Sequence, residues 1–364
     1  MNFKTKIEKL DTEEIVNSEY INWDYFKNST ILVTGVTGLI GSQIVRSILY
    51  ANEVKGVNIK IVALVRNKKK ADLVFSPLLK NRRGAGVRSE LKYIVQDITK
   101  PIKSHIKPDF IIHTANSTSS KEFTEKPVET IDSIIQGTKN VLEFAKEANI
   151  KGLVYLSSME VYGQTDFERV EPLIETDYGY LDILKTRNSY PEAKRLAECL
   201  CYSYAKEYNL PVKIARLCQT IGAGVDFNDN RVFAQFARNI VLSEDIVLKT
   251  TGETTRSYCY ITDAVSAILA LLERGQDGES YNVANSDTTC SIKEMAEMLT
   301  NKYTSSKLKI EPQENKEYLG KIKLVLDTTK IQTLNWSAKI NLEKMFDRLI
   351  QNFEIKNQEV LCLK

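Results

Sequence analysis

The sequence predicts an α/β protein: a doubly wound parallel sheet with a smaller α/β lobe attached. Three observations predict it. Short apolar runs alternate with helical patterns through most of the first 220 residues, as in a sheet covered by helices. The run from Ile59 to Val65 is almost continuously apolar, as a strand buried on both faces must be. Finally, Ile31-Leu32-Val33 leads into glycines at 35, 38 and 41, just as an apolar helix pattern opens at Leu39. With 364 residues, 43% of them hydrophobic, the chain can form a large core and a second lobe.

Taken in order, residues 1–28 form an N-terminal extension. Ile7, Leu10, Ile15 and Val16 share one face of a short helix, and Trp23, Tyr25 and Phe26 follow. This predicts a segment packed on the domain, with no chemistry of its own. After the glycine turn, apolar residues at 40, 44, 45, 48 and 49 predict a helix against a sheet. Further strands are expected at Ile59 to Val65, Tyr93 to Val95, Phe110 to His113, Leu153 to Ser157 and Val212 to Leu217, with helices over Ile134 to Ala148 and Tyr190 to Tyr208. Residues 29–219 therefore form mainly a sheet domain. Beyond about 220 the alternation weakens. Residues 220–350 are expected to form mainly the smaller, substrate-facing lobe, with 260–285 returning to the core through Tyr281 to Ala284 and 351–364 as a tail. No internal repeat is visible.

The remaining composition sets limits. A net charge of +3 is too small to imply a nucleic-acid partner. The basic stretch 66–92 has only Phe75 as an interleaved aromatic besides its charges until Tyr93, and reads as a solvated helix and loop. No run approaches the ~18 apolar residues of a membrane span. The first residues, Met-Asn-Phe-Lys-Thr-Lys-Ile-Glu, lack the apolar core of a secretory signal, and the six cysteines have no metal-ligand spacing. A cytoplasmic protein with reduced thiols and no metal is expected.

Two motifs carry chemistry. In the first, a glycine at the strand exit permits a tight turn, a second lets backbone approach a pyrophosphate, and a third lets helix and strand pack closely. The N-terminus of the following helix presents free N–H groups to the phosphates. A dinucleotide, NAD(P), is the expected cofactor, with Gly35, Gly38 and Gly41 at its pyrophosphate. Arg66, rather than an acid, follows the second strand, which favours NADP because a guanidinium pairs with the 2′-phosphate. The second motif is Tyr190-x-x-x-Lys194, whose spacing places both on one helix face. An ammonium beside the phenol, together with an oxidised nicotinamide, would lower its pKa and make it a base. Ser158 and Glu160 stand just past the strand ending near Ser157, where ligands of open α/β sheets bind. Burial of Glu160 would raise its pKa and suit it to acid–base work.

In this order, the glycine turn, Asp97-Ile98, His113-Thr114-Ala115, Gly137-Thr138, Ser157-Ser158-Met159-Glu160-Val161-Tyr162-Gly163, Tyr190-x-x-x-Lys194 and Arg256-Ser257-Tyr258-Cys259-Tyr260-Ile261-Thr262-Asp263 resemble the extended short-chain dehydrogenases/reductases that act on nucleotide sugars. The resemblance spans roughly 29–350 and implies a Rossmann-type domain. It implies that Gly35, Thr37, Gly38, Leu39, Ile40 and Gly41 hold the cofactor pyrophosphate, that Asp97 and Ile98 lie against the adenine, and that Thr114, Ala115, Tyr190 and Lys194 complete the cofactor site. Ser158, Glu160, Tyr190 and Lys194 would be catalytic. Ser158, Gln219, Arg231 and Arg256 would contact a nucleotide-sugar substrate, and the enzyme would be a homodimer. Within the family, Glu160 and the run from Arg187 to Glu198 look most similar to UDP-glucuronate decarboxylases and GDP-mannose-type 4,6-dehydratases. The chain departs from family patterns at Asp132, Ile134, Met159, Gln219 and Ile221-Gly222-Ala223. The implied activity is oxidation at C4 of a nucleotide-linked hexose followed by C5 or C6 chemistry. A 4-epimerase or 4-keto-sugar reductase is the alternative, and a non-catalytic NAD(P)-binding sensor is the alternative of a different class.

Overall fold

A computed structural model describes residues 1–79, 91–115, 120–313 and 321–362. Its strands are β1 (Thr30–Thr34), β2 (Lys60–Val65), β3 (Leu91–Val95), β4 (Phe110–His113), β5 (Gly152–Ser158), β6 (Val212–Leu217), β7 (Gln219–Ile221), β8 (Ile246–Leu248), β9 (Thr255–Tyr260), β10 (Ser280–Val283), β11 (Asn285–Ser291), β12 (Leu308–Ile310) and β13 (Lys323–Leu324). The principal helices are α1 (Lys6–Val16), α2 (Leu39–Lys55), α3 (Lys68–Leu79), α4 (Ser120–Glu125), α5 (Pro127–Ala148), α6 (Ser189–Tyr208), α7 (Val232–Leu242), α8 (Ile261–Arg274), α9 (Ile292–Lys302), α10 (Thr329–Gln332) and α11 (Leu342–Cys362).

The main sheet has seven parallel strands in the order β3-β2-β1-β4-β5-β6-β10. Strand order reverses between β1 and β4. Side-chain alternation divides the core in two. Ile31, Val33, Ile61 and Ala63 face the layer of α2 and α8, while Leu32, Val62, Ile111 and Leu153 face α5 and α6. Both faces are covered, which is why the central strands β1 and β2 read as nearly continuous apolar runs. β10 is the return strand expected at Tyr281 to Ala284, and it pairs parallel with β6. A second sheet holds β11, β9, β13 and β7, and β8 pairs with β12. Of the basic stretch, Arg66 and α3 lie within the described residues; residues 80–90 lie outside them.

α1 packs against α2, α8 and α11. Thr5 caps it, accepting from Glu8 N. Arg348 of α11 donates to Asp11 at 2.9 Å and to Glu14 at 2.7 Å, and Tyr260 donates to Asp11 at 2.9 Å. Buried charges require such pairing.

A second buried cation ties the sheet to the site. Arg216 of β6 is 1% exposed. It donates to Glu198 of α6 at 2.6 Å, to the Glu175 carbonyl at 2.7 Å, and to the hydroxyls of Tyr178 and Tyr162 at 2.8 and 3.2 Å. Tyr162 in turn donates to Asn282 of β10 at 2.6 Å. Arg216→Ala would strand the Glu198 carboxylate in the core. It is expected to destabilise the protein by about 3–5 kcal/mol, the usual effect of breaking a buried pair. Urea unfolding with an unchanged midpoint would show the network to be dispensable.

Candidate active site

The C-terminal ends of β1, β4, β5 and β6 open into one cleft of about 760 Å³. Gly35 turns the chain out of β1 at φ +65°, and a Cβ there would sit 2.6 Å from Thr114 Oγ1. A Cβ on Gly41 would sit 2.5 Å from the Gly35 carbonyl oxygen. Packing therefore requires both glycines. Gly38 differs: a Cβ there would meet nothing nearer than the Gly35 carbonyl, at 3.4 Å. Gly38 also lines the cleft at the start of α2, where no side chain caps the helix. The one glycine that the fold does not require thus leaves an open cradle before free helix N–H groups. That is the arrangement a dinucleotide pyrophosphate fits.

Thr37, Leu39 and Ile40 continue this wall, and Arg66, Asp97, Ile98, Thr114 and Ala115 also line the cleft. The Asp97 carboxyl is held below its usual range, first by the backbone N–H of Thr99.

Ser158, Glu160, Tyr190 and Lys194 line the same cleft. Ser158 ends β5 and caps the 3-10 turn Met159–Tyr162, accepting from Glu160 N at 3.2 Å. Tyr190 and Lys194 lie one turn apart on α6, and both are buried. Their coupling differs from the sequence expectation. Lys194 Nζ donates to the Leu156 carbonyl at 2.6 Å, and burial pulls its pKa down to about 7. The Tyr190 phenol is pushed up instead, first by burial and then by the charge of Glu160, against the pull of its hydrogen bond with Ser158 and of Arg187. Without a cofactor, a desolvated phenol has too little cationic support to ionise.

Glu160 also departs from expectation. Its side chain is 26% exposed rather than buried, and Arg187 Nη2 reaches both its oxygens, at 3.0 and 2.9 Å. The same guanidinium lies 5.1 Å from the Phe123 ring centre, and Phe123 stacks on Tyr190 at 4.2 Å and 11°. Arg187, Phe123 and Tyr190 form a layered stack beside the carboxylate. No role was expected for Phe123 or Arg187. Arg187 stands three residues before Tyr190, a signal that could have been used; Phe123 lies in a stretch with no periodic pattern.

Gln219 and Arg231 line the cleft as well. Arg231 is paired with Asp229 at 2.6 Å. Arg256 is the exception: it is not among the lining residues, and its Nε is buried without a hydrogen-bond partner. In the second sheet Gln219 pairs with Tyr258. Arg256 is two residues further from that pair, about 6.6 Å along the strand. Among the described residues, no cluster of three or more His, Cys, Asp or Glu side chains could hold a metal, and no helix is long and apolar enough to cross a membrane.

Residues 31–284 match the NAD dependent epimerase/dehydratase family. The chain is 27% identical over 335 residues to UDP-glucuronic acid decarboxylase 3 of Arabidopsis thaliana, which covers 90% of each. Its fold is similar to that of UDP-glucose 4-epimerase from Thermotoga maritima (TM-score 0.71, 22% identity, 91% of this chain and 99% of that one). It is also similar to dTDP-glucose 4,6-dehydratase from Bacillus anthracis, solved with NAD (TM-score 0.72, 20% identity, 91% and 98%).

The glycine geometry makes a paired prediction. Gly38→Val is expected to fold and to lose NAD(P) binding, because the branched side chain fills the cradle. Gly41→Val is expected not to fold. Thermal melts and cofactor titration check both, and unchanged affinity in folded Gly38→Val would sink the assignment.

Proposed function

The chain belongs to the NAD dependent epimerase/dehydratase family, and on that premise we propose that it is a nucleotide-sugar enzyme. It oxidises C4 of a nucleotide-linked hexose and then works at C5 or C6, by 4,6-dehydration or decarboxylation. The observation that supports this is the carboxylate of Glu160 in the same cleft as Ser158 and Tyr190. Moving a hydride at C4 alone needs no second acid–base group; removing a C5 proton or handling a C6 carboxylate does.

When bound, NAD(P) takes up and returns a hydride. The cradle at Gly38, with Thr37, Leu39, Ile40 and the close-packed Gly35 and Gly41, holds its pyrophosphate; Asp97 and Ile98 flank the adenine, and Thr114 and Ala115 complete the wall. Tyr190 takes the proton of the C4 hydroxyl, which Ser158 orients. Lys194, fixed on the Leu156 carbonyl, supplies positive charge behind the phenol. Glu160, paired with Arg187 as an acceptor, takes the C5 proton or manages the one at C6. Gln219 and Arg231 contact the nucleotide sugar, and Arg231 then exchanges or shares Asp229; Arg256, which does not line the cleft, takes no part in this contact.

Two finer parts belong to the proposal. Arg66 follows β2 on the cleft wall, so NADP is expected to bind at least as tightly as NAD; a strong preference for NAD in calorimetry would overturn this. Exposed Val128 and Ile131 on α5, with Leu196 and Tyr202 on α6, support a homodimer through those helices. Sedimentation as a monomer at all concentrations would exclude it.

The deciding experiment compares Tyr190→Phe and Glu160→Gln across UDP-, GDP-, CDP- and dTDP-sugars by mass spectrometry. Tyr190→Phe is expected to bind NAD(P) and turn nothing over. Glu160→Gln is expected to stall after C4 oxidation, accumulating a 4-keto sugar about two daltons lighter together with nicotinamide absorbance, because the amide keeps the shape but cannot accept a proton. Full-rate C4 epimerisation by Glu160→Gln would instead identify a 4-epimerase.

A further inference from the structure

The turn after β4 is held by an unusually constrained hydroxyl. Thr34, the last residue of β1, accepts with its Oγ1 from the backbone N–H of Thr114 and of Ala115, each at 3.1 Å. Thr114 returns the contact by donating its hydroxyl to the Thr34 carbonyl at 2.7 Å. A threonine hydroxyl has two lone pairs and one proton. Both lone pairs of Thr34 are occupied by amides, so its proton goes to the remaining neighbour, His113 Nδ1, at 2.8 Å. Nδ1 must then be the unprotonated nitrogen. The ring proton is left on Nε2, which faces Thr138 Oγ1 at 3.4 Å.

The surroundings of the ring agree. His113 is 1% exposed and is faced by Thr34 of β1, Thr138 of α5, Tyr155 of β5 and the Lys194 ammonium of α6. Burial and the Lys194 charge pull its pKa down to about 3. An imidazolium would direct an Nδ1–H at a hydroxyl that already accepts two bonds, and one amide would lose its partner.

We propose that His113 is a positioning residue for the cofactor site: fixed as the neutral Nε2–H tautomer, it orients the Thr34 hydroxyl, which locks the Thr114–Ala115 turn against Gly35 on the cleft wall. The idea rests on the dinucleotide reading of that cleft and adds to it a residue that touches no ligand. The absence of a side chain at Gly35 is part of the device, since a Cβ there would lie 2.8 Å from Ala115 N.

The chain has two histidines, and the other, His105, is exposed, so the ring signals can be assigned by difference. Nitrogen-15 NMR of histidine-labelled wild-type protein is expected to show one Nε2–H tautomer for His113, unchanged from pH 5 to 8. An Nδ1–H signal, or titration in that range, would overturn the proposal without any variant. His113→Asn keeps an acceptor at the Nδ1 position, whereas His113→Leu does not. The Asn variant is expected to hold NAD(P) within about threefold of wild type and the Leu variant to lose roughly tenfold, as when a buried hydrogen-bond partner is removed. Equal affinities for the two would refute the positioning role. A wild-type protein that binds no dinucleotide would sink the cofactor reading and this role with it, while the tautomer signal would separate that failure from an error in the hydrogen-bond argument.

Discussion

The guanidinium of Arg216 is the point on which the cleft's architecture turns. It is almost wholly removed from water, and desolvation works against its charge, but the hydrogen bonds and charge of Glu198 prevail. Its partners come from separate pieces of the chain that must agree in space: α6 through Glu198, the turn after β5 through Tyr162, and the loop carrying Glu175 and Tyr178. Glu198 sits one turn beyond Lys194 on α6, and Tyr162 two residues beyond Glu160. The two halves of the proposed acid–base set are therefore aligned by one cation behind them. Asn282 extends the link by donating to the carbonyls of Leu173 and Asp327, both at 2.9 Å.

Much of this was legible in the sequence, for identifiable reasons. A strand covered on both faces has no solvent side to vary, so β2 announces itself as an apolar run, whereas β6 carries Lys213 and Arg216 among its apolar residues. The glycine turn is legible because its backbone demands are local: Gly35 needs its positive φ, and Gly41 abuts a carbonyl six residues earlier. What could not be read depends on partners distant in sequence. Glu160 looked like a candidate for burial because it follows an apolar strand, yet Arg187 meets it from the 3-10 turn Thr186–Asn188, 27 residues away. Arg256 sits correctly in a motif, but its distance from the cleft is set by ladder register with β7, β11 and β13. The direction of the Lys194 head was equally hidden, because helix spacing places a side chain on a face without choosing its acceptor.

The cleft is also uneven in its demands on the chain. At the glycine end, the backbone does most of the shaping, and side chains are kept away. At the Tyr190 end, the side chains do so, through the Arg187–Phe123–Tyr190 stack and the Glu160 pair. Offset aromatic stacking and a cation over a ring each contribute about 0.5–1.5 kcal/mol. These are modest amounts, small enough for a ligand to rearrange. The backbone cradle has no comparable freedom, because any movement there strands amides or closes Gly35 onto Thr114.

The clasp between α1 and α11 has a consequence for how the molecule is made. Asp11 leaves the ribosome 337 residues ahead of Arg348. At roughly 5–20 residues per second, that separation lasts tens of seconds. Throughout it, the carboxylates of Asp11 and Glu14 have no guanidinium to meet, and the face of α1 that α11 covers stays open. Helix α1 is thus sealed only after the 337 residues that separate Asp11 from Arg348 have been translated, although its own turns can form long before.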